Sequence, residues 1–303
     1  MNISFLNNLP KLNQVIFILG LFGILVGTIG TQISSDLSLI LFFDNLHWTS
    51  GTFFAAILAY LGMKEAANKR ESLWFFIGFA GYAIGQIIWD IQTMLSYSGF
   101  PSPSDLFYLL LGPSLSFAIF HEMYSQNKKF NKNAYWLDLL ALGVTILILV
   151  LISYLPRQGE LDILSIVVLV AYPVTLIIPI LMLFLFILVL RLKLDTQLIL
   201  FLITLSITAY SWMNWNSMAL DGKTISGSWH NVLFSISILI SGLVVSKWHL
   251  SYSMNSNYER YSESFLMFLP IVTVILSSVA IIIVASKPIT ILGASPFAKR
   301  KTF

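Results

Sequence analysis

Two acidic residues, Asp90 and Asp105, flank a loop of proline, serine and glycine in an otherwise strongly apolar chain, where residues 87–105 read IIWDIQTMLSYSGFPSPSD. Asp90 lies near the end of an apolar run, where an ionised side chain costs a few kcal/mol unless it faces water or a polar partner. Asp105 opens the next apolar run. Such a pair could hold a polar ligand or act as a membrane aspartyl pair, but neither residue lies in a protease motif. We therefore expect binding rather than catalysis.

Helical spacing places further polar and aromatic side chains beside these carboxylates. Residues 82, 86, 89 and 90 follow the i, i+4, i+7, i+8 pattern of one helix face, and residues 105 and 108 share a face of the next helix. A short loop joins the two helices, so they should pack antiparallel and bring these faces together. A similar stripe, with Trp212 and Trp215, lies further along the chain. The pattern predicts an aromatic and polar cluster at one end of a helix bundle.

These residues also have structural interpretations. Asp105 follows PSPS and opens a helix, so we rank the capping of free N–H groups above a ligand role for it. Trp89 and Trp215 lie at the depth where the aromatic belts of membrane proteins occur. His47 and His230 each lack a second histidine at i+4, and the chain has no cysteine, so we expect neither a metal site nor a cofactor.

Motifs of the common enzyme classes are missing from the sequence. It contains no HExxH, no GxSxG and no glycine-rich phosphate loop, and we expect no enzymatic activity. The formal net charge of +3 reflects basic loops between apolar runs and gives no reason to expect nucleic-acid binding.

The composition identifies the elements that must position the cluster. Hydrophobic residues make up 57% and charged residues 10% of the 303 positions, and the mean hydropathy is +0.84, whereas soluble domains carry about 25% charged residues. Apolar runs of roughly 20 residues, the length that crosses a bilayer as a helix, recur along the chain. We predict an all-α, polytopic membrane helix bundle that forms a single integral-membrane domain over 1–303. Its nine predicted spans are 14–33, 46–64, 73–95, 105–124, 135–155, 163–190, 196–218, 229–248 and 265–286; the stretch LSLILFFDNLHW, which runs into the second, could lie in the membrane interface.

The orientation follows from the basic residues, which gather in cytoplasmic loops. Eleven of them fall on one side of the predicted spans, against Arg157 and Lys223 on the other. We predict a cytoplasmic N-terminus, with 96–104 and 219–228 outside. Nine spans also leave the basic tail 287–303 outside, so either the ninth span does not cross or the chain stops before a tenth, and the side of the C-terminus stays open.

The two halves of the chain match at an offset of 126 residues. The matched pairs are Trp89 with Trp215, Asp90 with Asn216, and Asp105 with Asn231. Because predicted spans three and seven point the same way, 1–133 and 134–250 would form a parallel 4+4 repeat, a layout found in transporters, with 265–286 as an extra helix. The candidate ligand-binding residues are Tyr82, Gln86, Trp89, Asp90, Asp105, Tyr108, Trp212, Trp215, Asn216 and Asn231.

One stretch resembles a known family. WFFIGFAGYAIGQIIWD followed by GFPSPSDLFYLL resembles the N-terminal multi-helix membrane regions of bacterial diguanylate cyclases and phosphodiesterases with GGDEF or EAL domains. In those regions a helix with a terminal aromatic residue leads into a Pro-x-Pro-Ser loop and an Asp-x-x-Tyr-Leu helix, matched here by Asp105, Tyr108 and Leu109. The resemblance covers about residues 73–120. Gln86 departs from it, since an acidic residue is expected there, and no catalytic, kinase or PAS domain follows.

The resemblance implies a sensory or input-type module of a bacterial inner membrane, without an output domain of its own, that detects a small ligand, a lipid or a membrane state at its outer face. Its expected partners are the lipid bilayer and a cytoplasmic or membrane signalling protein. A small-molecule or lipid transporter and a structural membrane subunit are the alternatives. A transporter needs a polar route to both faces, and here the polar stripe thins toward the cytoplasm, which favours sensing.

Overall fold

The computed structural model describes residues 9–67, 69–97, 99–126, 132–154, 161–190, 192–221 and 226–249, together with positions 268, 271, 275, 278 and 279. Helices account for the regular structure of these residues, and no β-strand occurs among them. The helices are α1 (Lys11–Ile33), α2 (Leu37–Glu65), α3 (Lys69–Met94), α4 (Pro103–Tyr108), α5 (Leu111–Gln126), α6 (Lys132–Tyr154), α7 (Ile163–Leu190), α8 (Thr196–Leu220) and α9 (Trp229–Val245). The all-α prediction is confirmed for this part of the chain, whereas the ninth predicted span, 265–286, lies outside it apart from the five single positions.

Five helical segments are long and apolar enough to cross a membrane, which indicates a membrane protein. They are Lys11–Ile33, Lys69–Met94, Pro103–Tyr124, Ile163–Leu188 and Thr196–Leu220. The apolar helices Leu139–Tyr154 and Trp229–Val245 are shorter. These segments correspond to predicted spans one, three, four, six and seven, and the remaining spans stay predictions.

Helix α2 begins at Leu37, ahead of the predicted span start at residue 46. The Asp36 carboxylate accepts a hydrogen bond from the backbone N–H of Ser38 at 2.7 Å and caps the helix. The polar residues Asp44 and His47 do not end it, because both are buried and bonded to α9. Contacts with α9 therefore keep helical a segment that the sequence pattern left at the membrane interface.

The helices contact one another in a closed order. Helix α2 packs on α3, α3 on α4 and α5, α5 on α7, α7 on α8, α8 on α9, and α9 returns to α2. Helix α1 packs against α2 and α9, and α6 packs against α7. The helices α2, α3, α5, α7, α8 and α9 thus form a ring around a common interior.

Glycines permit the closest approaches at two junctions of this ring. A Cβ at Gly242 of α9 would lie 2.5 Å from the Cα of Ala55 in α2, a distance that no side chain tolerates. Gly112 of α5 lies as closely against the backbone carbonyl of Thr175 in α7. Small residues at helix interfaces are typical of membrane bundles, where backbone proximity provides the packing energy.

Aromatic side chains fill the middle of the ring. Phe75 of α3, Phe201 of α8 and Trp248, just after α9, contact one another with ring centroids 5.0–5.9 Å apart. Two turns further along α3, the hydroxyl of Tyr82 accepts a hydrogen bond from the indole N–H of Trp212 in α8 at 3.1 Å. Both sets of contacts cross the interior of the bundle from α3 to α8.

Candidate functional site

A cavity of about 460 Å³ lies at one end of the bundle. Its walls come from the N-terminal parts of α2, α7 and α9, the C-terminal parts of α3 and α8, and α4 with the segment that leads into it. We call this the Asp105 end, and the space the aromatic cavity. The lining residues are Leu41, Asp44, Asn45, Trp48, Trp89, Thr93, Tyr97, Gly99, Phe100, Asp105, Tyr108, Leu161, Leu169, Tyr172, Trp212, Trp215, Ala219, Leu220, Ser226 and Asn231.

Ring contacts centred on Trp212 hold much of the wall. Trp212 stacks on Tyr172 with centroids 3.8 Å apart and an interplanar angle of 16°. Tyr108 and Trp215 meet the same indole edge to face, at 5.7 and 5.9 Å. Side chains from α4, α7 and α8 therefore form one contiguous aromatic surface whose rings orient one another.

Asp105 is a buried carboxylate in the lining, with both oxygens bonded. One oxygen accepts the backbone N–H of Ser102 at 2.5 Å, which completes a capping box at the start of α4. The other accepts the hydroxyl of Tyr172 in α7. Asp105 thus caps α4 and ties it to α7.

Asp44 of α2 is a second buried carboxylate in the lining. The amide Nδ2 of Asn231 in α9 lies 3.1 and 3.2 Å from its two oxygens, and Nε2 of His47 lies 3.0 Å from Oδ1. Nδ1 of His47 lies 2.9 Å from the Ser235 hydroxyl, so the contacts continue between α2 and α9. The order Asp, His, Ser imitates a hydrolytic triad, but His47 and Ser235 are each 1% exposed and neither lines the cavity. The arrangement ties α2 to α9 and offers a substrate no open serine.

Asp90 lies behind the cavity wall and not in it. Its oxygens accept the side-chain amide of Gln86 at 2.7 Å and the hydroxyl of Thr49 in α2. The carbonyl oxygen of Gln86 accepts the hydroxyl of Tyr108 at 2.6 Å, and Tyr108 lines the cavity. The carboxylate therefore has the polar partners that its depth requires and is linked to the cavity through two side chains.

The ten candidate residues divide into lining and supporting groups. Those in the lining are Trp89, Asp105, Tyr108, Trp212, Trp215 and Asn231. Those outside it are Tyr82, Gln86, Asp90 and Asn216. Tyr82 and Gln86 support the wall through their bonds to Trp212 and Tyr108. Asn216 donates to the backbone carbonyl of Leu169 in α7 at 2.8 Å and so fixes another lining residue.

The sequence reasoning missed the part of the lining that α2 and α7 supply. Residues 41, 44, 45 and 48 have i, i+3, i+4 and i+7 spacing, the pattern of one helix face, and this signal could have found Asp44 and Trp48. Tyr172 precedes Pro173 in a helix of very high hydropathy, and nothing in its spacing marks it. Its place is determined by the packing of α7 against α5.

Two further features concern charge and metals. Asp162, just before α7 and next to the lining residue Leu161, has its carboxyl pKa held below the usual value by hydrogen bonds from the side chain and the backbone N–H of Ser165. An exposed carboxylate, ionised at neutral pH, therefore lies next to a lining residue of the cavity.

Among the described residues, no group of three or more His, Asp or Glu side chains is placed to hold a metal ion.

Comparisons with protein-family models, with curated proteins and with solved structures find no match for this chain.

Proposed function

We propose that this chain is a ligand-binding membrane module of the sensory, input type, which detects a small molecule in the aromatic cavity and passes a helix displacement to a signalling partner. The observation that carries the proposal is the cavity itself, a space of about 460 Å³ with buried polar groups and aromatic walls. Ligand sites are concave, largely apolar, and contain a few converging polar groups. In this proposal the module lies in a bacterial inner membrane with nine spans and a cytoplasmic N-terminus, so that the Asp105 end faces outward.

Aromatic contacts across the interior of the bundle favour sensing over transport. The Tyr82–Trp212 hydrogen bond lies at the cavity wall, and the contacts among Phe75, Phe201 and Trp248 lie further along the interior between α3 and α8. A transporter needs a polar path past this level, whereas a sensor needs only a pocket whose occupancy shifts the surrounding helices.

The second candidate function is transport, which the helix order supports. If 1–133 and 134–250 are a repeat, α2, α3 and α5 correspond to α7, α8 and α9. If each helix of the ring is replaced by its counterpart in the other half, the same pairs of helices are in contact. Helices α3 and α8 then lie opposite each other in the ring. Parallel repeats of this kind are known in transporters.

Hydrogen bonds at matched positions also support the repeat. Ser102 and Ser228, again 126 residues apart, are both N-caps, and Asp105 and Asn231 both follow three residues later. Asp105 bonds to the second helix of the other half, α7, through Tyr172, and Asn231 bonds to α2, the second helix of its opposite half.

The experiment that tests the proposal asks whether the cavity retains a small molecule. The protein, extracted into native-lipid nanodiscs and incubated with the small-molecule fraction of a cell extract, would be weighed intact by native mass spectrometry. Ala219→Trp places a large ring in the cavity lining, and Ser206→Trp, on the same helix, lies outside the lining and serves as the matched control.

We expect a bound small molecule in the wild-type protein and in Ser206→Trp, and its loss from Ala219→Trp. A wild-type protein that retains nothing, or a ligand that Ala219→Trp retains equally, overturns the proposal. Uptake of the retained molecule into proteoliposomes distinguishes the two candidates, since a sensor binds it without moving it across the bilayer.

A further inference from the structure

We propose that the aromatic cavity selects an organic cation, that is, a quaternary ammonium or a protonated amine. This inference rests on the proposed function, because it names the ligand class of the same cavity. Three properties of the lining carry it: the sign of its charge, the number of its aromatic rings and the kind of partner that its carboxylates have.

The lining contains two carboxylates, and the basic side chain paired with one of them, His47 beside Asp44, lies outside it. Asp44 and Asp105 both belong to it, and none of its described residues is a lysine, arginine or histidine. Asp162 adds a third carboxylate beside the rim. An anionic ligand would be repelled here, and a neutral ligand would gain nothing from the charge, whereas a cation is attracted by each carboxylate.

The hydrogen-bond partners of the two buried carboxylates are all groups that can donate. Those partners are the amide of Asn231 and a ring nitrogen of His47 for Asp44, and the backbone N–H of Ser102 and the hydroxyl of Tyr172 for Asp105. An ionised carboxylate only accepts hydrogen bonds. A neutral imidazole satisfies both contacts of His47, because one of its nitrogens donates and the other accepts. These contacts orient the carboxylates without placing a lysine or arginine beside them.

The aromatic content of the lining is the second argument. Eight of the lining side chains are aromatic, and four of these are tryptophans: Trp48, Trp89, Trp212 and Trp215. The face of an aromatic ring is electron-rich and attracts a cation within about 6 Å, most strongly for tryptophan, and more so when the cation is desolvated. Aromatic walls with nearby carboxylates are the usual means of holding a quaternary ammonium group, which has no N–H to donate.

The test uses the full chain in nanodiscs of phosphatidylglycerol, which contain no cationic headgroup. Choline, tetraethylammonium, 3,3-dimethyl-1-butanol (the uncharged isostere of choline) and 3,3-dimethylbutanoate would be titrated while tryptophan emission is followed. We expect both cations to bind, and choline to bind at least tenfold more tightly than its isostere, which corresponds to about 1.4 kcal/mol. A second set of nanodiscs containing phosphatidylcholine identifies the source of the cation: competition with choline indicates a lipid headgroup, and no competition indicates a free amine.

Three variants separate the role of the charge from general damage to the fold. Asp44→Asn removes one lining carboxylate and should reduce the preference for choline over its isostere at least fivefold. Asp36→Asn removes a carboxylate that does not line the cavity and should leave the preference unchanged. Trp89→Leu removes a half-exposed ring from the lining and should also weaken choline binding more than isostere binding. The ratio of two affinities is measured only on protein that binds, so misfolded protein does not affect it.

Several results overturn the inference. Equal affinity for choline and its isostere, tighter binding of 3,3-dimethylbutanoate, an unchanged preference in both Asp44→Asn and Trp89→Leu, or no binding of either cation would each exclude cation selection. The retention experiment with Ala219→Trp is independent of these probes, so a cavity that retains a neutral molecule there preserves the proposed function while the cation inference fails.

Discussion

The hydrogen bond between Asp105 and Tyr172 joins α4 to α7, and its removal should destabilise the bundle by a calculable amount. Asp105→Ala removes two interactions, the capping bond to Ser102 and the acceptor of the Tyr172 hydroxyl. A lost cap costs about 1 kcal/mol. Interhelical hydrogen bonds in membrane proteins average about 0.6 kcal/mol, and an ionised partner roughly doubles this value. We therefore expect Asp105→Ala to lower the free energy of unfolding by about 2 kcal/mol.

A double-mutant cycle isolates the interhelical part of this loss. Tyr172→Phe should cost about 1 kcal/mol, and the double variant should cost about as much as Asp105→Ala alone, which leaves a coupling energy of about 1 kcal/mol. The measurement is equilibrium unfolding in mixed detergent and SDS, followed by helical circular dichroism. Tyr210→Phe removes a hydroxyl from an exposed tyrosine of α8 and is the matched control. A coupling energy below about 0.3 kcal/mol, or a Tyr172→Phe variant as stable as Tyr210→Phe, would refute the assigned bond.

Three further predictions concern the topology, the second carboxylate and the ring. Single cysteines at Ser98 and Lys223 should react with a membrane-impermeant maleimide added to whole cells, because the distribution of basic residues predicts that both loops face outward; protection of either in cells, with labelling only after lysis, would contradict the predicted orientation. Asp90→Asn should change the free energy of unfolding by less than about 1 kcal/mol, since an asparagine can accept from Gln86 and donate to Thr49; a loss above 2 kcal/mol in the same SDS titration would show that the charge itself is needed. Gly242→Leu should cost roughly 1–3 kcal/mol or more, because its side chain meets the α2 backbone, and an unaffected unfolding midpoint would disprove that contact.

The helical class and much of the site could be predicted because the signals are local. Apolar runs and i, i+4 spacing are determined by the geometry of a single helix, and they bring together Trp89 and Tyr108 with the start of α4 at Asp105. The 126-residue offset then identifies Trp215 and Asn231 without any knowledge of packing. Each of these residues lines the aromatic cavity.

The rest depends on contacts between helices that are distant in sequence. In the sequence alone, the charged Asp44 suggests that no span continues through it. Its hydrogen-bond partner Asn231 lies 187 residues away, so local spacing does not reveal that the carboxylate can be buried. The spacing of Asp90 predicts a lining residue. In the structure, however, its two oxygens accept hydrogen bonds from Gln86 and Thr49, and it lies outside the lining. In both cases the burial of a polar group is compensated by a partner that no local pattern reveals.

At two junctions beside the cavity, a carboxylate from residues 1–133 meets a neutral donor from residues 134–250. At the junction of α4 with α7, the first half supplies the carboxylate, Asp105, and the second half supplies a neutral donor, Tyr172. At the junction of α9 with α2, the first half again supplies the carboxylate, Asp44, and the second half supplies the neutral amide of Asn231. Each of these two junctions therefore joins one carboxylate to one neutral donor, and an exchange of Asp105 for asparagine or of Asn231 for aspartate would leave a junction with no carboxylate or with two. Since both junctions border the same aromatic cavity, the carboxylates that link these helices also line the cavity. Replacing either carboxylate by an amide should therefore affect both stability and cation preference.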